Sequence, residues 1–534
     1  MSPADRSDTP TAAAARPARE RVDAVVVGAR CAGSGAAIAL ARLGRSVISI
    51  DRTRFPSDTL STHVNFPSAV AEVQRLGALQ RIQRECDPPK ALFAQIVADG
   101  VSCRNRWEPI DGIDYAQSVP RTPFDAALVA TAREAGVDVR ERTTLVDVLW
   151  RDGRACGVRV RGPEGEYEIA CSLVIGADGR RSGVATAVGA DRPYRGSLPQ
   201  RGAAYRYLDD PQLGTEWRQT VVQYRQRESH VFVFPCPEDR MLVLFMGARE
   251  DVSAFRADPE GTWAARVAEN PAAAERIGGG GNGTKIRSTT DTASYFRRSS
   301  GPGWALCGDA GHFKDPAVGQ GIRDALRFGR LLGEGAAPVL DDPRALDAAL
   351  AAVERRRDRE CRSTYHWGNK ESRLSLPSPL FKEALRSFDG SDEPWLARLF
   401  DRGGALGSAA SPHRILSPWR GAKLAARAAM RPGVDRRALL REVIEELRVD
   451  ADVWREEWAD RFRDDRPRAS ERPIAEWPER PPHMARRDAG AGAIDEDADP
   501  GLDPQAAADE PPAAARPRRR SGSSAADEST TVAA

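Results

Sequence analysis

The stretch Val22-Asp-Ala-Val-Val-Val-Gly28-Ala-Arg30-Cys31-Ala32-Gly33-Ser-Gly35 decides how the rest of the chain is read. A valine-rich run ends in a glycine-bearing turn. The turn opens a small-residue helix, Ala36 to Leu43, that stops at Gly44. A second apolar run, Ser46 to Ile50, ends in Asp51 and Arg52. Strand, turn, helix, strand and acid come in the order a dinucleotide site needs, with the acid about 20 residues beyond the turn. Gly28 lets the chain turn sharply off its strand, and Gly33 lets the helix lie close on the sheet. The helix N-terminus offers N–H groups and partial positive charge to a diphosphate. Asp51 is placed to accept a hydrogen bond from a ribose hydroxyl. The middle glycine of G-x-G-x-x-G is replaced by Arg30, which either lifts the phosphate slightly or adds its own charge to it.

The 534 residues suffice for two or three structural units and a large core. A formal charge of +2 argues against a nucleic-acid-binding field over the whole molecule. No apolar run approaches ~18 residues, so no membrane span is expected. Met1 to Glu20 lacks the apolar segment of a signal peptide and reads as a disordered arm. The eight cysteines form no C-x-x-C pair, so neither a zinc knuckle nor a dithiol motif is expected, and no metal site. Scattered thiols in apolar runs point to a reducing cytoplasm.

Beyond Asp51, the polar segment Arg52 to His63 is a loop leaving the C-terminal end of a parallel strand, where open α/β sheets place ligands. His63 either faces a cofactor there or is a surface histidine. Residues 67–82 are predicted as one helix, and alternating, mixed polar segments follow to Asp114. Pro120 to Gly136 is a second helix, with Arg121 at its entry, aimed at an anion or merely solvated. Val137–Val139, Thr144–Trp150, Ala155–Val160 and Tyr167–Ala170 are expected to form a small antiparallel meander. A buried strand then runs into Gly176-Ala-Asp178-Gly179.

From Gly202 to Gly247, four further strands suit a second sheet whose aromatic residues line a pocket or a plain core. Gly278 to Gly283 lacks the Lys-Ser/Thr of a phosphate loop and reads as a flexible loop. Trp304 to Leu306 leads into Gly308-Asp309, His312 and Lys314, and a helix is predicted from about Gly319. The chain beyond Asp341 is helical and charged, and the tail beyond Asp465 has a disordered composition.

The Gly28 turn, Gly176-Ala-Asp178-Gly179 and Gly308-Asp309 together resemble the three fingerprints of FAD-dependent oxidoreductases. The likeness is to the aromatic-hydroxylase (group A flavin monooxygenase) and geranylgeranyl-reductase group, over about residues 20–370. Gly28-Ala-Arg-Cys-Ala-Gly33-Ser with Phe55-Pro-Ser-Asp-Thr-Leu-Ser-Thr-His63 is similar to an actinobacterial-type branch that carries arginine at the middle position. The resemblance implies an α/β fold: a Rossmann-like FAD-binding domain, an inserted antiparallel β-sheet substrate domain, a helical C-terminal region and a disordered tail. The corresponding segments are a disordered arm over 1–20, FAD-binding parts over 21–200 and 291–340, a substrate sheet over 201–290, helices over 341–465 and the tail over 466–534.

The resemblance also implies the site. Gly28, Arg30, Cys31, Ala32 and Gly33, with Asp51 and Arg52, would hold the ADP half of FAD. Val146 matches a strand residue whose backbone meets adenine, and Arg121 an arginine beside the cofactor. Asp178 would serve the flavin site and nicotinamide channel, and Asp309 the ribityl chain. The helix opening through Gly319, Gly321 and Ile322 would stabilise negative charge at the flavin N1–C2 region.

With one complete nucleotide turn, FAD has a fold of its own and NAD(P)H docks transiently as co-substrate. The implied activity is a monooxygenase that uses NAD(P)H and dioxygen to oxygenate an apolar or aromatic small molecule through a flavin C4a-hydroperoxide. The alternatives are a reductase of isoprenoid carbon–carbon double bonds and a non-catalytic flavoprotein. No Trp-x-Trp-x-Ile-Pro segment supports a halogenase. His63 and His312 are candidates for proton transfer, and Lys314 for the flavin's pyrimidine edge or a substrate anion. The expected assembly is a monomer or homodimer.

Overall fold

A computed structural model describes residues 19–461, apart from 62, 199–200, 228, 373–376 and 402–416. Residues 1–18 of the arm expected over 1–20, and the tail over 466–534, lie outside the described residues. Six helices matter below: α1 (Cys31–Arg42), α2 (Arg121–Glu134), α3 (Gly321–Ala336), α4 (Pro343–Glu371), α5 (Pro418–Ala429) and α6 (Arg436–Arg461).

The fold is α/β. Its central sheet runs in the order Ser300–Gly301, Trp304–Leu306, Leu173–Gly176, Ala24–Val27, Val47–Ile50, Asp138–Arg140. All pairings are parallel except that of the edge strand Ser300–Gly301. Ala24–Val27, Val47–Ile50 and Leu173–Gly176 are buried throughout, because both faces of this parallel sheet are covered: helices including α1 and α3 lie on one, and the strands Thr144–Arg151, Arg154–Gly162 and Gly165–Ala170 on the other. The chain starts in the middle, winds outward through Val47–Ile50 to Asp138–Arg140, then returns to the other side of Ala24–Val27. Such a reversal opens a crevice at the carboxyl ends of the two inner strands. The loops after Val27, Gly176 and Leu306 all leave that edge.

α1 and α3 pack with their backbones nearly touching. A Cβ built on Gly329 would sit 2.3 Å from the Ala32 carbonyl oxygen, and one on Gly333 2.6 Å from that of Ala36. Only small residues allow this approach, which is why α1 reads as a run of alanine and glycine.

A seven-stranded sheet runs Arg287–Thr289, Arg201–Asp209, Arg240–Ala248, Ser229–Pro235, Thr220–Gln226, Phe93–Ala98, Val101–Arg106. Its pairings are antiparallel except Thr220–Gln226 with Phe93–Ala98. The last two strands come from the stretch read as mixed polar, since each alternates one buried and one half-buried or exposed side. One face buries Val222, Val243 and Phe245 against Phe255 and Trp263. The inner face carries Tyr205, Phe232, Phe234, Leu242 and Leu244, packed with Val64, Phe66, Val318 and Trp367.

Three local expectations are corrected. Asp138–Arg140 is the outer strand of the parallel sheet, bonded to Val47–Ile50, and not part of the meander. The meander proper, Thr144–Arg151, Arg154–Gly162 and Gly165–Ala170, gains a parallel strand at Arg19–Arg21, so Arg19 and Glu20 are not part of a disordered arm. The single helix over 67–82 is two, Pro67–Arg75 and Leu79–Cys86, because Gly77 takes φ +77° between them.

Candidate cofactor site and active site

Gly28 stands at φ +100°, and a Cβ there would lie 2.4 Å from the Ala177 carbonyl oxygen. No L side chain fits that backbone or that space. The turn is tied to the second strand: Gly28 N–H donates to Ile50 O at 2.7 Å, and Ala29 N–H to Asp51 Oδ2 at 2.9 Å. Asp51 Oδ1 accepts from the Thr53 backbone and hydroxyl at 2.9 and 2.8 Å. Thr143 N–H meets Asp51 O at 2.8 Å, which brings the start of the strand bearing Val146 beside the acid. Arg52 is exposed, and Val146 is 41% exposed. α1 begins without a side-chain cap and without an acid in its first turn.

The third fingerprint lies against the first. A Cβ on Gly308 would be 2.7 Å from Ala32 Cβ, and Cys307 Sγ is 3.8 Å from Ala32 O. The second closes the triangle through Ala177 at Gly28. Asp178 Oδ2 accepts from Val184 N–H at 3.1 Å, while its buried Oδ1 has no partner. Burial raises the Asp178 pKa. Burial also pushes Asp309 up to about 6, against the opposing charges of Arg180 and Arg121. Tyr295 Oη donates to Asp309 O at 2.6 Å and fixes that turn.

Arg30 is turned away from the glycine turn. Its Nη1 is 2.5 Å from Asp125 Oδ2, and the guanidinium also donates to Ser57 O, Ser57 Oγ and Asp58 O at 2.9–3.2 Å. Arg121, at the start of α2, donates to both Asp125 oxygens at 2.9 Å. Cys31 Sγ is 3.5 Å from Asp125 Oδ1. Asp125 is fully buried and was not foreseen, although its position four residues after Arg121 on one helix face was readable.

His63 is 3% exposed at φ +32°, so the surface reading is wrong. Its Nδ1 lies 2.8 Å from Ser61 O, an acceptor only, so Nδ1 carries the proton and Nε2 accepts from Tyr207 Oη at 2.5 Å. Burial, with the Arg121 charge, lowers the His63 pKa to about 3, and burial raises that of Tyr207. Tyr207 stacks on the imidazole and Tyr205 meets it edge-on. The loop from the parallel sheet thus docks on the inner face of the second sheet.

Beside it, Asn65 and Gln117 stand opposite each other in a two-stranded ladder, 0% and 1% exposed. Neither amide has a partner at either end, and Ser118 Oγ is likewise unpaired. Buried amides of this kind need a ligand or water. Only the three-dimensional pairing reveals them.

His312 and Lys314 are drawn into a different network. Lys314 Nζ sits 2.6 Å from Asp324 Oδ2 in α3 and donates to Thr364 Oγ1 at 2.8 Å. His312 Nε2 is 3.5 Å from Asp324 Oδ2, and burial lowers its pKa to about 4 despite that carboxylate. Burial alone would raise Asp324, but Arg323 and Lys314 hold it well below the usual range. His312, Asp324 and Cys361 place three ligand-type atoms within 4.8 Å of one another. Lys314 and Arg323 already supply the positive charge a metal would bring. Gly319, at φ +63°, lies against the Phe66 ring, Gly321 opens α3, and Ile322 is half-buried.

A glycine turn at a helix start, an acid at the end of the next strand and two further acid-bearing turns meeting it are the donor set of a flavin dinucleotide fold. Residues 21–363 match the FAD binding domain family, and the chain belongs to it. It is 28% identical over 324 residues to a menaquinone reductase of Mycolicibacterium smegmatis, covering 59% of this chain and 76% of that one. It is 26% identical over 389 residues to digeranylgeranylglycerophospholipid reductase 2 of Methanothermobacter thermautotrophicus, covering 70% and 93%. Among solved structures, the myxobacterial chondrochloren halogenase CndH superposes with TM-score 0.58 at 22% identity, over 71% of this chain and 97% of that one. Among the described residues, no helix is long and apolar enough to cross a membrane.

Proposed function

We propose that this chain is a flavin-dependent reductase of carbon–carbon double bonds in a polyprenyl-type molecule, with NAD(P)H as reductant. The observation that carries the flavin assignment is the contact of the Gly308 turn with Ala32 at the Gly28 turn. One extended cofactor would reach both. Gly28, Ala29, Gly33 and the first turn of α1 would take the diphosphate, Asp51 the adenosine ribose, the strand at Val146 the adenine, and Asp309 the ribityl chain. Arg30 and Arg121 would fix the walls through Asp125. FAD, when bound, supplies the hydride chemistry, and the protein positions it.

The inner face of the second sheet forms an apolar wall that excludes water. On that wall, the Tyr207 hydroxyl proton and the neutral His63 ring are the proton-handling groups. His312 and Lys314 serve the placement of α3 through Asp324. The reduction reading is supported by the two relatives, whose names denote molecules bearing polyprenyl chains.

Oxygenation of an aromatic substrate is the second reading, favoured by the aromatic wall of Tyr205, Phe232 and Phe234. The test is NAD(P)H consumption by the yellow holoprotein with polyprenyl quinones, polyprenyl lipids and phenols, with and without dioxygen. Anaerobic turnover with a product gaining two hydrogens supports the first reading. Turnover only with dioxygen, and a product gaining one oxygen atom, replaces it with the second. Colourless protein that takes up no FAD overturns both.

A further inference from the structure

α6 is amphipathic, and the solvent side is the unusual one. Leu439, Val449 and Val453 are buried on its inner side. That side is also held by ion pairs: Lys370 of α4 binds Glu442 at 2.7 Å and Glu446, while Arg195 and Arg362 reach Glu456 at 2.7 and 3.1 Å. The helix is therefore anchored, and its outer face is a real surface.

That outer face is apolar along its length. Leu440, Ile444, Leu447, Ala451, Trp454 and Trp458 recur at alternating steps of four and three, which draws one continuous stripe on a helix. Leu440, Leu447, Trp454 and Trp458 are 60%, 61%, 63% and 52% exposed. Arg441, Arg448 and Arg455 run beside the stripe, all exposed. Arg448 and Arg455 pair with Glu445 and Asp452, but each guanidinium side chain stands more open to solvent than its carboxylate partner, 68% against 27% and 72% against 45%. α5, packed next to α6, repeats the composition. It exposes Trp419 (79%), is followed by Met430 (76%), carries Arg420, Lys423 and Arg427, and has no acid. Seven of the thirteen exposed large apolar side chains of the described residues lie on Trp419–Trp458. Clustering of this kind marks an interaction surface.

We propose that the outer faces of α5 and α6 form an interfacial patch that lies on an anionic lipid surface. Tryptophan with leucine and isoleucine suits the boundary between headgroups and acyl chains, and the arginine and lysine rim suits phosphate-bearing headgroups. A second copy of the chain would bring a cationic rim of its own against this one. The inference stands on these two helices and does not depend on which reaction the enzyme performs.

The test is flotation of the full-length holoprotein with vesicles of pure phosphatidylcholine and of phosphatidylcholine with phosphatidylglycerol. The protein should float with the anionic vesicles, and added salt should reduce the bound fraction. W454S/W458S should weaken binding roughly tenfold or more while leaving the visible flavin spectrum and circular dichroism unchanged. R448E/R455E should lose the preference for phosphatidylglycerol. The proposal is overturned if wild type binds neither vesicle, if the tryptophan variant binds as well as wild type, or if that variant instead converts a lipid-free dimer to a monomer.

Discussion

Arg30 Nη1 and Asp125 Oδ2 are 2.5 Å apart, and the carboxylate they share with Arg121 is fully buried. The arginine that interrupts the glycine motif therefore clamps α2 to the glycine-turn loop instead of pointing along it. Asp125→Ala strands two guanidiniums around a buried gap, which should cost about 3 kcal/mol of stability. Asp125→Asn keeps the shape and should cost less. Urea unfolding of the two variants, read beside FAD fluorescence, checks the order: FAD affinity should fall with stability in both.

Asp309 should set a pH dependence of the cofactor-free protein. Its folded pKa is raised to about 6 by burial, above the ordinary 3.8. The folded state thus holds the proton more tightly, and stability from this group rises as pH falls from 6 toward 3.8. Asp309→Asn is neutral at every pH, so the apoprotein should gain stability at pH 8 and lose that dependence. Asp309→Ala should weaken FAD binding by roughly 10- to 100-fold, the worth of a hydrogen bond to a charged group. Thermal unfolding of apoprotein against pH, and fluorescence titration with FAD, separate the two effects.

The buried histidines work in the opposite direction. His63 is lowered to about 3 and His312 to about 4, both from 6.5, chiefly by burial. The unfolded chain takes protons below pH 6.5 and the folded one does not until its own pKa. Stability is therefore lost on acidification through that window, by about 1.4 kcal/mol per pH unit per ring. His63→Gln keeps hydrogen-bonding capacity without titrating, so the fall in melting temperature from pH 6.5 to 4.5 should become shallower than in wild type.

The flavin fold was legible because its signals are local. The turn at Gly28, the acid at Asp51 and the small residues of α1 each answer a backbone requirement within a few residues of themselves. Gly308 was legible as a motif, and the topology explains its distance in sequence: Ala24–Val27, Val47–Ile50, Asp138–Arg140, Leu173–Gly176 and the whole second sheet are laid before Trp304–Leu306 returns beside Leu173–Gly176. The strands Phe93–Ala98 and Val101–Arg106 escaped notice because half of their side chains face a partly solvated surface, which blurs alternation. The pairing of His63 with Tyr207 and the facing amides Asn65 and Gln117 depend on registers between distant segments, which composition does not encode. Asp125 is the exception, since its spacing from Arg121 was there to be read.

The contact between α1 and α3 should be as important to FAD as any residue that touches it. Gly329 faces Ala32 so closely that a Cβ would fall 2.3 Å from the Ala32 carbonyl oxygen. Gly329→Ala must push the helices apart, and overpacking of this kind costs about 1–3 kcal/mol. Because Ala32 sits in the first turn of α1 and also touches Gly308, the displacement opens both turns on which the dinucleotide reading depends. Gly44→Ala, at φ +80° with nothing within 4 Å of its Cβ, serves as a control in which strain is local to a surface turn. Gly329→Ala should lose FAD affinity beyond what its loss of stability explains, measured at a temperature where both variants remain folded. Gly44→Ala should lose stability alone. Equal FAD binding in the two would mean that the helix contact does not govern the cofactor turns.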